Sequence, residues 1–310
     1  MNDSKKLLLI DGNNLLHRAY HALPPLTTKS GEVVNAVYGF SNMILKAIDE
    51  VQPVYVACAF DTKAPTFRHV EFEAYKAQRK APPPDLYPQL PIVKRVLDAF
   101  SVPYFEKEGY EADDLLGTLA VGNLKKVDQV VILSGDRDVL QLVDGKIKVQ
   151  MPGWNLTSTS LYGSEEVRNK FGIEPVQMVD YKSLIGDSSD NIPGVAGIGP
   201  KTASQLLSKY KTLENLFNHV DELPETVAVK LKKDKDIAFA AKKLVELDTK
   251  VDLKFKIENL KFDPDWDKVR AEFEGLGFKS ILAKLPGTNV TNVSKVSNVQ
   301  EVKTDQLELI

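Results

Sequence analysis

The chain has 310 residues, of which 43% are hydrophobic, and its formal net charge is −3 at pH 7. A chain of this length buries a sizeable core in one large or two modest domains, and its hydrophobic fraction is ordinary for a soluble globular protein. The longest apolar run, Val54–Phe60, is too short to cross a membrane, and the slightly negative charge disfavours a polyanionic partner unless basic residues gather in patches.

The start of the chain and its cysteine content favour a reducing compartment. Residues 5–10 resemble the start of a secretory signal, but their apolar run stops at Asp11, too early for the core of such a signal. Cys58, the only cysteine, lies inside an apolar run, which is typical of a small buried side chain rather than a reactive thiol. We therefore expect a cytoplasmic protein with no membrane partner.

Three short apolar runs predict strands: Leu7–Ile10, Val54–Phe60 and Val130–Leu133. None of them alternates with polar residues, so each is typical of a strand that is buried on both faces. Segments with helical periodicity lie between the runs, at Val33–Glu50, Leu90–Phe100 and Ala112–Leu124. This order predicts an α/β fold with a parallel sheet.

Acidic residues stand where these strands are predicted to end, namely Asp11, Asp61, Asp136 and Asp138. In open α/β sheets, ligands bind beyond the carboxyl ends of the strands, so we expect these side chains to share one site. Further acids, Glu111, Asp113 and Asp114, form the first turn of a predicted helix. Helix capping alone explains such a turn, but the repulsion between carboxylates is roughly 3 kcal/mol per pair at about 6 Å and an effective dielectric of about 20. Converging acids therefore need bound cations.

The suspected metal ligands are all oxygen donors: Asp11, Asp61, Glu111, Asp113, Asp114, Asp136, Asp138, Asp187 and Asp190. The histidines show no paired spacing and the cysteine is single, so zinc is disfavoured, whereas all-carboxylate sites suit Mg²⁺ or Mn²⁺. These acids are too many for one octahedral ion. Two ions about 4 Å apart, partly held through water, would activate a water molecule and stabilise the leaving oxygen of a phosphodiester. A calcium-type structural site is the alternative, but the acids lack a regular loop pattern.

Thr62–Gln89 is a long insertion whose first part carries a local charge of +3. Its basic and aromatic residues are Lys63, Phe67, Arg68, Phe72, Tyr75, Lys76, Arg79 and Lys80. This mixture suits single-stranded nucleic acid, because phosphates meet Lys and Arg while bases stack on rings. A solvated helical lid whose aromatic residues pack down explains the residues equally well, and Pro82–Pro84 break any helix.

A glycine-rich loop follows a helix predicted at Val176–Ile185. The loop residues of interest are Gly194, Gly197, Gly199, Lys201 and Thr202. Pro200 opens the next predicted helix, whose backbone N–H groups are suited to hold a phosphate. The loop imitates a nucleotide-binding P-loop, but Pro200 displaces the lysine and no strand precedes it. A clamp on a phosphodiester backbone is the better interpretation.

The remaining segments suggest two domains and a tail. Lys146–Gln150 predicts an edge strand, and residues 206–285 indicate helices with lysine-rich, solvated faces. We place an α/β core at residues 1–174 and a helical domain at 175–288. Residues 289–310, which are rich in Asn, Val, Thr and Ser without periodicity, predict a flexible tail or linker.

These motifs together resemble the bacterial 5′-nuclease family, which comprises the N-terminal 5′→3′ exonuclease domain of DNA polymerase I and stand-alone flap endonucleases. The matching motifs are Leu-Ile-Asp11-Gly-Asn, Ala-Phe-Asp61-Thr-Lys-Ala-Pro-Thr-Phe-Arg68, Tyr75-Lys76-Ala-Gln-Arg79, Gly-Tyr-Glu111-Ala-Asp-Asp-Leu, Ser-Gly-Asp136-Arg-Asp138 and Gly-Asp187-Ser-Ser-Asp190-Asn-Ile-Pro-Gly-Val. Pro83-Pro84 stands where relatives often carry Met-Pro, which bears on the shape of the insertion rather than on the chemistry.

The resemblance implies a PIN-like nuclease core with a helical arch at 62–89, followed by an all-α helix-three-turn-helix domain of the helix-hairpin-helix type. It implies a two-metal-ion 5′→3′ exonuclease and 5′-flap endonuclease acting in Okazaki fragment processing, RNA primer removal and DNA repair. The implied ligands are Mg²⁺ or Mn²⁺, K⁺ at the helix-three-turn-helix, and DNA with 5′ ends or flaps, including RNA-primed ones. We expect a monomer with a DNA polymerase as partner.

The resemblance also implies roles for single residues. Lys76 and Arg79 are the predicted catalytic residues at the scissile phosphate, and all nine acids are implied metal ligands. The expected DNA contacts are Arg18, Arg68, Tyr75, Lys80, Gly194, Gly197, Gly199, Lys201 and Thr202, among which Tyr75 stacks a base.

Two other functions stay open on the sequence. A non-catalytic DNA-binding module would keep the helical domain without the chemistry, but the intact acids argue against it. A PIN-type ribonuclease would share the core, but the long helical half disfavours it. Glu272–Leu285 is similar to the segment that closes this domain ahead of a polymerase, so we expect either a stand-alone enzyme or an excised domain.

Overall fold

One six-stranded sheet organises the first half of the chain. The computed structural model describes residues 4–153 and 158–287. The strands are β1 (Lys6–Asp11), β2 (Tyr55–Ala59), β3 (Tyr104–Phe105), β4 (Gln129–Leu133), β5 (Ile147–Pro152) and β6 (Thr159–Tyr162). Their spatial order is β3-β2-β1-β4-β5-β6, and every neighbouring pair is parallel except β5 and β6, which are antiparallel.

Helices cover this sheet and build the second half of the chain. They are α1 (Gly12–Ala22), α2 (Asn35–Val51), α3 (Phe67–Glu71), α4 (Leu90–Ala99), α5 (Ala112–Asn123), α6 (Ser164–Phe171), α7 (Met178–Ile185), α8 (Pro200–Tyr210), α9 (Leu213–Asn218), α10 (Glu225–Lys233), α11 (Lys235–Val245), α12 (Trp266–Gly275) and α13 (Lys279–Leu282). Within the described ranges, no helix combines the length and the apolar character that crossing a bilayer requires.

Strand β1 shows why the sheet is buried on both faces. Leu7 and Leu9 belong to the core on one face, and Leu8 and Ile10 belong to the core on the other. All four side chains are fully buried. A strand that is covered on both sides has no position for polar residues, which explains its uninterrupted apolar run. The predicted α/β fold with a parallel sheet is therefore confirmed.

The edge of the sheet differs from the prediction. The sequence predicts an edge strand at Lys146–Gln150, but β5 lies inside the sheet because β6 pairs with it on the far side. β6 is antiparallel and largely exposed, as expected of an edge strand. The sequence interpretation also lacks α1 and the two-residue strand β3, whose brevity leaves no periodicity to detect.

The insertion at residues 62–89 is helical only at its base. α3 has five residues, and residues 73–78 form turns rather than a continued helix. These turns dock on the loop after α7, because the N–H of Lys76 donates to the carbonyl of Asp190 at 2.9 Å. The side-chain amide of Asn191 also donates to the carbonyl of Ala74, at 2.7 Å. The arch is therefore held down by the helical half of the molecule.

The second half is helical, as predicted, but its last helices return to the first half. Phe273 of α12 and Ile281 of α13 share a core with Phe40 of α2 and Phe100, which follows α4. The sheet and the C-terminal helices therefore form one packed unit. The domain limits at residues 1–174 and 175–288 stay a prediction, and the tail predicted at 289–310 lies outside the described residues.

Candidate metal and nucleic-acid site

Five of the predicted acids line one cavity at the carboxyl edge of the sheet. The cavity has a volume of about 420 Å³, and its acidic side chains are Asp11, Asp61, Glu111, Asp113 and Asp136. β1 pairs in parallel with both β2 and β4, so the acids that follow these strands emerge side by side. The first turn of α5 supplies the other two acids.

Asp11 is buried and held by two hydrogen bonds. The N–H of Asn14 donates to its Oδ1 at 3.0 Å, and the hydroxyl of Ser134 donates to its Oδ2 at 2.6 Å. Burial raises the pKa of Asp11 to about 7; the hydrogen bonds oppose the rise, and the charges of Asp61 and Asp136 add to it. A carboxylate in this position ionises reluctantly unless a cation lies close to it.

Asp113 also has a raised pKa, and one of its carboxylate oxygens has no hydrogen bond, from the part of the chain that the structure describes, that would favour the charged form. Its Oδ1 atom is shielded from solvent and has no hydrogen-bond partner among the described residues. Burial raises the pKa of Asp113 well above its ordinary value, and the charges of Asp11, Asp136 and Asp61 raise it further. A shielded, unpartnered carboxylate oxygen among other carboxylates is a position suited to a hard cation.

Asp61 and Asp136 complete this group. Part of Asp61 is exposed, yet the protein around its carboxylate raises its pKa, while the N–H of Ala112, at 2.7 Å, opposes the rise. Burial also raises the pKa of Asp136, against the lowering effect of Lys182. Carboxylates with raised pKa values around one cavity are typical of functional sites.

The spacing of the acids bears on how they could hold an ion. In residues 4–153 and 158–287, no three His, Cys, Asp or Glu side chains lie close enough together to enclose a metal ion by themselves. Mg²⁺ keeps several of its waters and is usually held by one or two carboxylates. The all-oxygen donors and the unpartnered Oδ1 of Asp113 fit ions of this kind, bound partly through water.

Asp114 belongs to a buried ion pair instead of the cavity. Its two oxygens accept hydrogen bonds from the guanidinium of Arg68 at 2.7 and 2.8 Å, and from the N–H groups of Glu111 and Asp248. These four hydrogen bonds use the lone pairs of a fully buried carboxylate. The structure therefore contradicts the prediction that Asp114 binds a metal ion.

Asp138 and Asp187 share the ammonium group of Lys182. Its Nζ atom pairs with Asp138 and lies 2.7 Å from Oδ2 of Asp187. Burial disfavours the charged form of Asp187, but Lys182 and Ser189 outweigh it and lower the pKa to about 2. Asp187 and Asp136 line a second cavity of about 450 Å³. Because Asp136 also lines the first cavity, the two cavities adjoin at this residue.

Lys76 and Arg79, the predicted catalytic pair, lie at the rim of the first cavity. Nζ of Lys76 is 2.7 Å from Oε1 of Glu111 and 3.8 Å from Oδ2 of Asp190. Arg79 pairs with the other oxygen of Asp190. Both cations therefore stand between the insertion and the acids, where a phosphate approaching the cavity would meet them.

Tyr75 is not placed to stack a base. It is only 3% exposed, and its hydroxyl donates to Glu111 at 3.0 Å and to Asp190 at 3.2 Å. Burial and these two carboxylates raise the pKa of Tyr75. The rings that line the cavity are those of Tyr87, which is exposed, and His17, which is half-buried; they pack edge to face with centroids 5.8 Å apart.

Three basic residues predicted to contact DNA differ in how exposed their side chains are. Arg68 is 1% exposed, so the prediction that it contacts DNA is wrong. Arg18 is partly buried and donates from Nη2 to the carbonyl of Gly153; it stays a predicted DNA contact. Lys80 is exposed and lines the acid cavity, so it stays a predicted DNA contact.

The predicted phosphate loop lies at the exposed start of α8. Gly197, Gly199 and Lys201 are exposed, and Thr202 is half-buried beside them. Gly194 has a different reason to lack a side chain, because a Cβ atom there would overlap the backbone of Gly186. All five residues stay predicted DNA contacts, and Gly194 in addition allows close packing against Gly186.

Three supporting residues were missed by the sequence interpretation. Ser134 holds Asp11, Asn14 accepts from the N–H of Gly135 at 2.8 Å, and Lys182 joins Asp138 to Asp187. Each acts between segments that are far apart in the chain. The available signal is position, since Ser134 directly follows an apolar run.

An acid-lined cavity at the carboxyl edge of a parallel sheet, with basic side chains at its rim and a helical half behind it, is typical of α/β nucleases. The family model described as 5′-3′ exonuclease, N-terminal resolvase-like domain, matches residues 6–172. The model described as 5′-3′ exonuclease, C-terminal SAM fold, matches residues 173–268. The chain therefore belongs to the 5′-3′ exonuclease family.

Known relatives agree with this assignment. DNA polymerase I of Caldicellulosiruptor bescii is 41% identical over 98% of this chain, which spans only 37% of that polymerase. A 5′-3′ exonuclease of Aquifex aeolicus is 36% identical over 91% of this chain and 95% of its own length. A bacteriophage T5 flap endonuclease, solved as a pseudo-enzyme–product complex with DNA and metal ions, has the same fold, with a TM-score of 0.64, 21% identity and coverage of 90% and 96% of the two chains.

Proposed function

We propose that the chain hydrolyses DNA phosphodiesters at 5′ ends and 5′ flaps in a reaction that depends on divalent ions. The observation that carries this proposal is the cavity lined by five carboxylates, one of which, that of Asp113, has a shielded Oδ1 without a hydrogen-bond partner among the described residues. Family membership and the DNA and metal ions bound to the T5 flap endonuclease support it.

Asp11, Asp61, Glu111, Asp113 and Asp136 would hold the ions, with Asp138, Asp187 and Asp190 as the adjoining group. Two Mg²⁺ or Mn²⁺ ions held there would supply an activated water and stabilisation of the leaving oxygen. Ser134 and Asn14 fix the orientation of Asp11, as partners of metal-binding carboxylates commonly do.

Lys76 and Arg79 would bind the scissile phosphate. In this structure they pair with Glu111 and Asp190. When a phosphate enters the cavity, Lys76 and Arg79 would exchange these carboxylate partners for phosphate oxygens. Donors aimed at the developing charge stabilise the transition state more than the bound substrate. The start of α8 at Gly199 would hold the duplex backbone, with Lys201 adding a positive charge.

The wider assignment follows from the same proposal. We include K⁺ at the glycine-rich loop, RNA-primed substrates, a monomeric state, a DNA polymerase partner and a role in primer removal and DNA repair. A cytoplasmic location accords with Cys58, which is buried as a free thiol.

The test is cleavage of a 5′-flap duplex by the full chain with Mg²⁺ and with EDTA, alongside Asp136→Ala. We expect products with 5′-phosphates only for the wild type with Mg²⁺. Equal cutting in EDTA, or cutting by Asp136→Ala at the wild-type rate, would contradict the proposal. A matched RNA duplex in competition separates a deoxyribonuclease from a ribonuclease.

A further inference from the structure

Arg68 is a fully buried cation that none of the proposed chemistry uses. It lies on α3, at the base of the insertion, and its side chain is 1% exposed. Nη1 and Nη2 donate to the two oxygens of Asp114 at 2.7 and 2.8 Å. A planar guanidinium that meets a carboxylate through two parallel hydrogen bonds fixes the orientation of both groups.

The same guanidinium reaches the helical half of the molecule. Nε donates to the carbonyl of Leu244, near the end of α11, at 2.8 Å, and Nη2 donates to the carbonyl of Glu246 at 2.9 Å. Four hydrogen bonds from one side chain therefore tie the insertion to α11 and to Asp114 on α5. Burial alone lowers the pKa of Arg68, but Asp114 and Glu111 outweigh it and raise the pKa.

Asp114 links Arg68 to the acidic first turn of α5, which contains Glu111 and Asp113. Its Oδ2 accepts from the N–H of Glu111 at 3.1 Å, which sets the first turn of α5, and its Oδ1 accepts from the N–H of Asp248 at 2.9 Å. Glu111 and Asp113 stand on either side of the residue that opens the helix. The orientation of both cavity acids thus depends on a carboxylate that is itself oriented by Arg68.

We propose that Arg68 is a positioning residue for the hydrolysis, which holds Glu111 and Asp113 in place through Asp114 and fixes them relative to the helical half. This inference rests on the proposed function. It assigns the helical half a second task beyond holding duplex DNA, because this half supplies three partners of the connection. They are the carbonyl of Leu244 on α11, and the carbonyl of Glu246 and the N–H of Asp248 shortly after it.

The test compares Arg68→Lys and Asp114→Asn with wild type and with a matched control, Arg95→Lys. Lysine keeps the charge of Arg68 but cannot form the paired contact or reach both carbonyls. Asparagine keeps the shape of Asp114 and removes its charge. Arg95 also binds a carboxylate, that of Glu272, but its side chain is 54% exposed.

Mn²⁺ binding by the free protein, followed by the electron paramagnetic resonance of unbound Mn²⁺, is the first readout. We expect about tenfold weaker binding for both buried variants, the effect usual for residues that orient metal ligands, and no change for Arg95→Lys. In flap cleavage, we expect kcat to fall by a similar factor while KM for the flap stays within about twofold.

Unchanged Mn²⁺ affinity in a folded Arg68→Lys protein, well below its melting temperature, would overturn the inference. A purely structural role lowers the melting temperature and leaves Mn²⁺ binding intact, so the two roles separate. If Arg68→Lys does not fold, Asp114→Asn decides the matter by the same measurement. Failure of the wild type to cut the flap would contradict the proposed function, whereas the Mn²⁺ titration would still test the positioning role.

Discussion

Asp11 has a pKa of about 7 at the end of a strand, because burial outweighs the hydrogen bonds that favour its charged form. A folded pKa above the unfolded value of 3.8 gives stability that is present in full below that value and is lost as pH rises through about 7. The loss is on the order of 4 kcal/mol for a shift of this size. Without divalent ions, the wild type should therefore become less stable between pH 4 and pH 8.

Asp11→Asn should remove the part of this dependence that is due to Asp11, because asparagine stays neutral. Urea unfolding without divalent ions at pH 5 and pH 8 measures it, and the variant should be the more stable protein at pH 8. Equal slopes with pH in the two proteins would show that Asp11 is not the group responsible. Asp61, Asp113 and Asp136 also have raised pKa values, so part of the dependence remains in the variant, and the difference between the two slopes isolates the contribution of Asp11.

Lys76→Ala should reduce turnover about 100-fold with little effect on duplex affinity, because its ammonium faces charge that develops in the transition state. Lys76 is 19% exposed and already neutralises Glu111, whereas Lys63 is an exposed lysine of the same insertion. Single-turnover flap cleavage of Lys76→Ala and of the control Lys63→Ala measures the difference. An equal loss in both variants would indicate a general charge effect.

The sequence predicts the position of some site residues well and that of others poorly. Asp11, Asp61 and Asp136 were predictable because parallel strands place their carboxyl ends on one edge. Arg68, Asp114 and Tyr75 were not, because their burial depends on packing against residues far away in the chain. Charge and aromatic character are the same on a surface and in a buried network, so neither the residue types nor the resemblance that assigned Arg68 and Tyr75 to DNA showed that both are buried.

At the scale of elements, the glycine-rich loop gives a matched pair of substitutions. Gly194→Ala should destabilise the protein by about 1–3 kcal/mol, since the new methyl group overlaps the backbone of Gly186 and Ile185. Gly199→Ala has open space around its Cβ atom and should change the free energy of unfolding far less. Urea unfolding of the two variants tests this, and equal destabilisation would contradict the packing assigned to Gly194.

Strands with a continuous apolar run were predicted well. Elements whose position depends on pairing with another segment were not. β1, β2 and β4 are apolar along their central residues because both faces of the sheet are covered. β5 was expected at the edge, since sequence does not show that β6 pairs with it. The insertion has basic and aromatic residues at mixed spacing, and only its docking on Asp190 and Asn191 explains its turns.

At the scale of the whole molecule, a net charge of −3 requires that DNA contacts be concentrated on one face. Each lysine that pairs with a phosphate adds about one unit to the slope of log affinity against log salt. Lys201→Ala should therefore lower that slope by about one unit, whereas Lys261→Ala, whose lysine pairs with Asp263, should leave it unchanged. Flap binding titrated at several salt concentrations measures both, and an unchanged slope for Lys201→Ala would remove the loop from the interface.

The general organisation of the molecule was visible in the sequence, but its internal connections were not. A parallel sheet followed by helices was predictable from the order of apolar segments. The return of α12 and α13 to the sheet and the contact of Arg68 with α11 join segments that no local pattern relates. These connections make the insertion, the acidic turn and the helical half parts of one site.

The most direct test of the account is the anomalous scattering of Mn²⁺ in crystals of the full chain. Two Mn²⁺ peaks are expected in and beside the cavity lined by Asp11, Asp113 and Asp136, and none should lie against Asp114. Peaks confined to other surfaces, or a cavity without Mn²⁺ at concentrations that support flap cleavage, would contradict it.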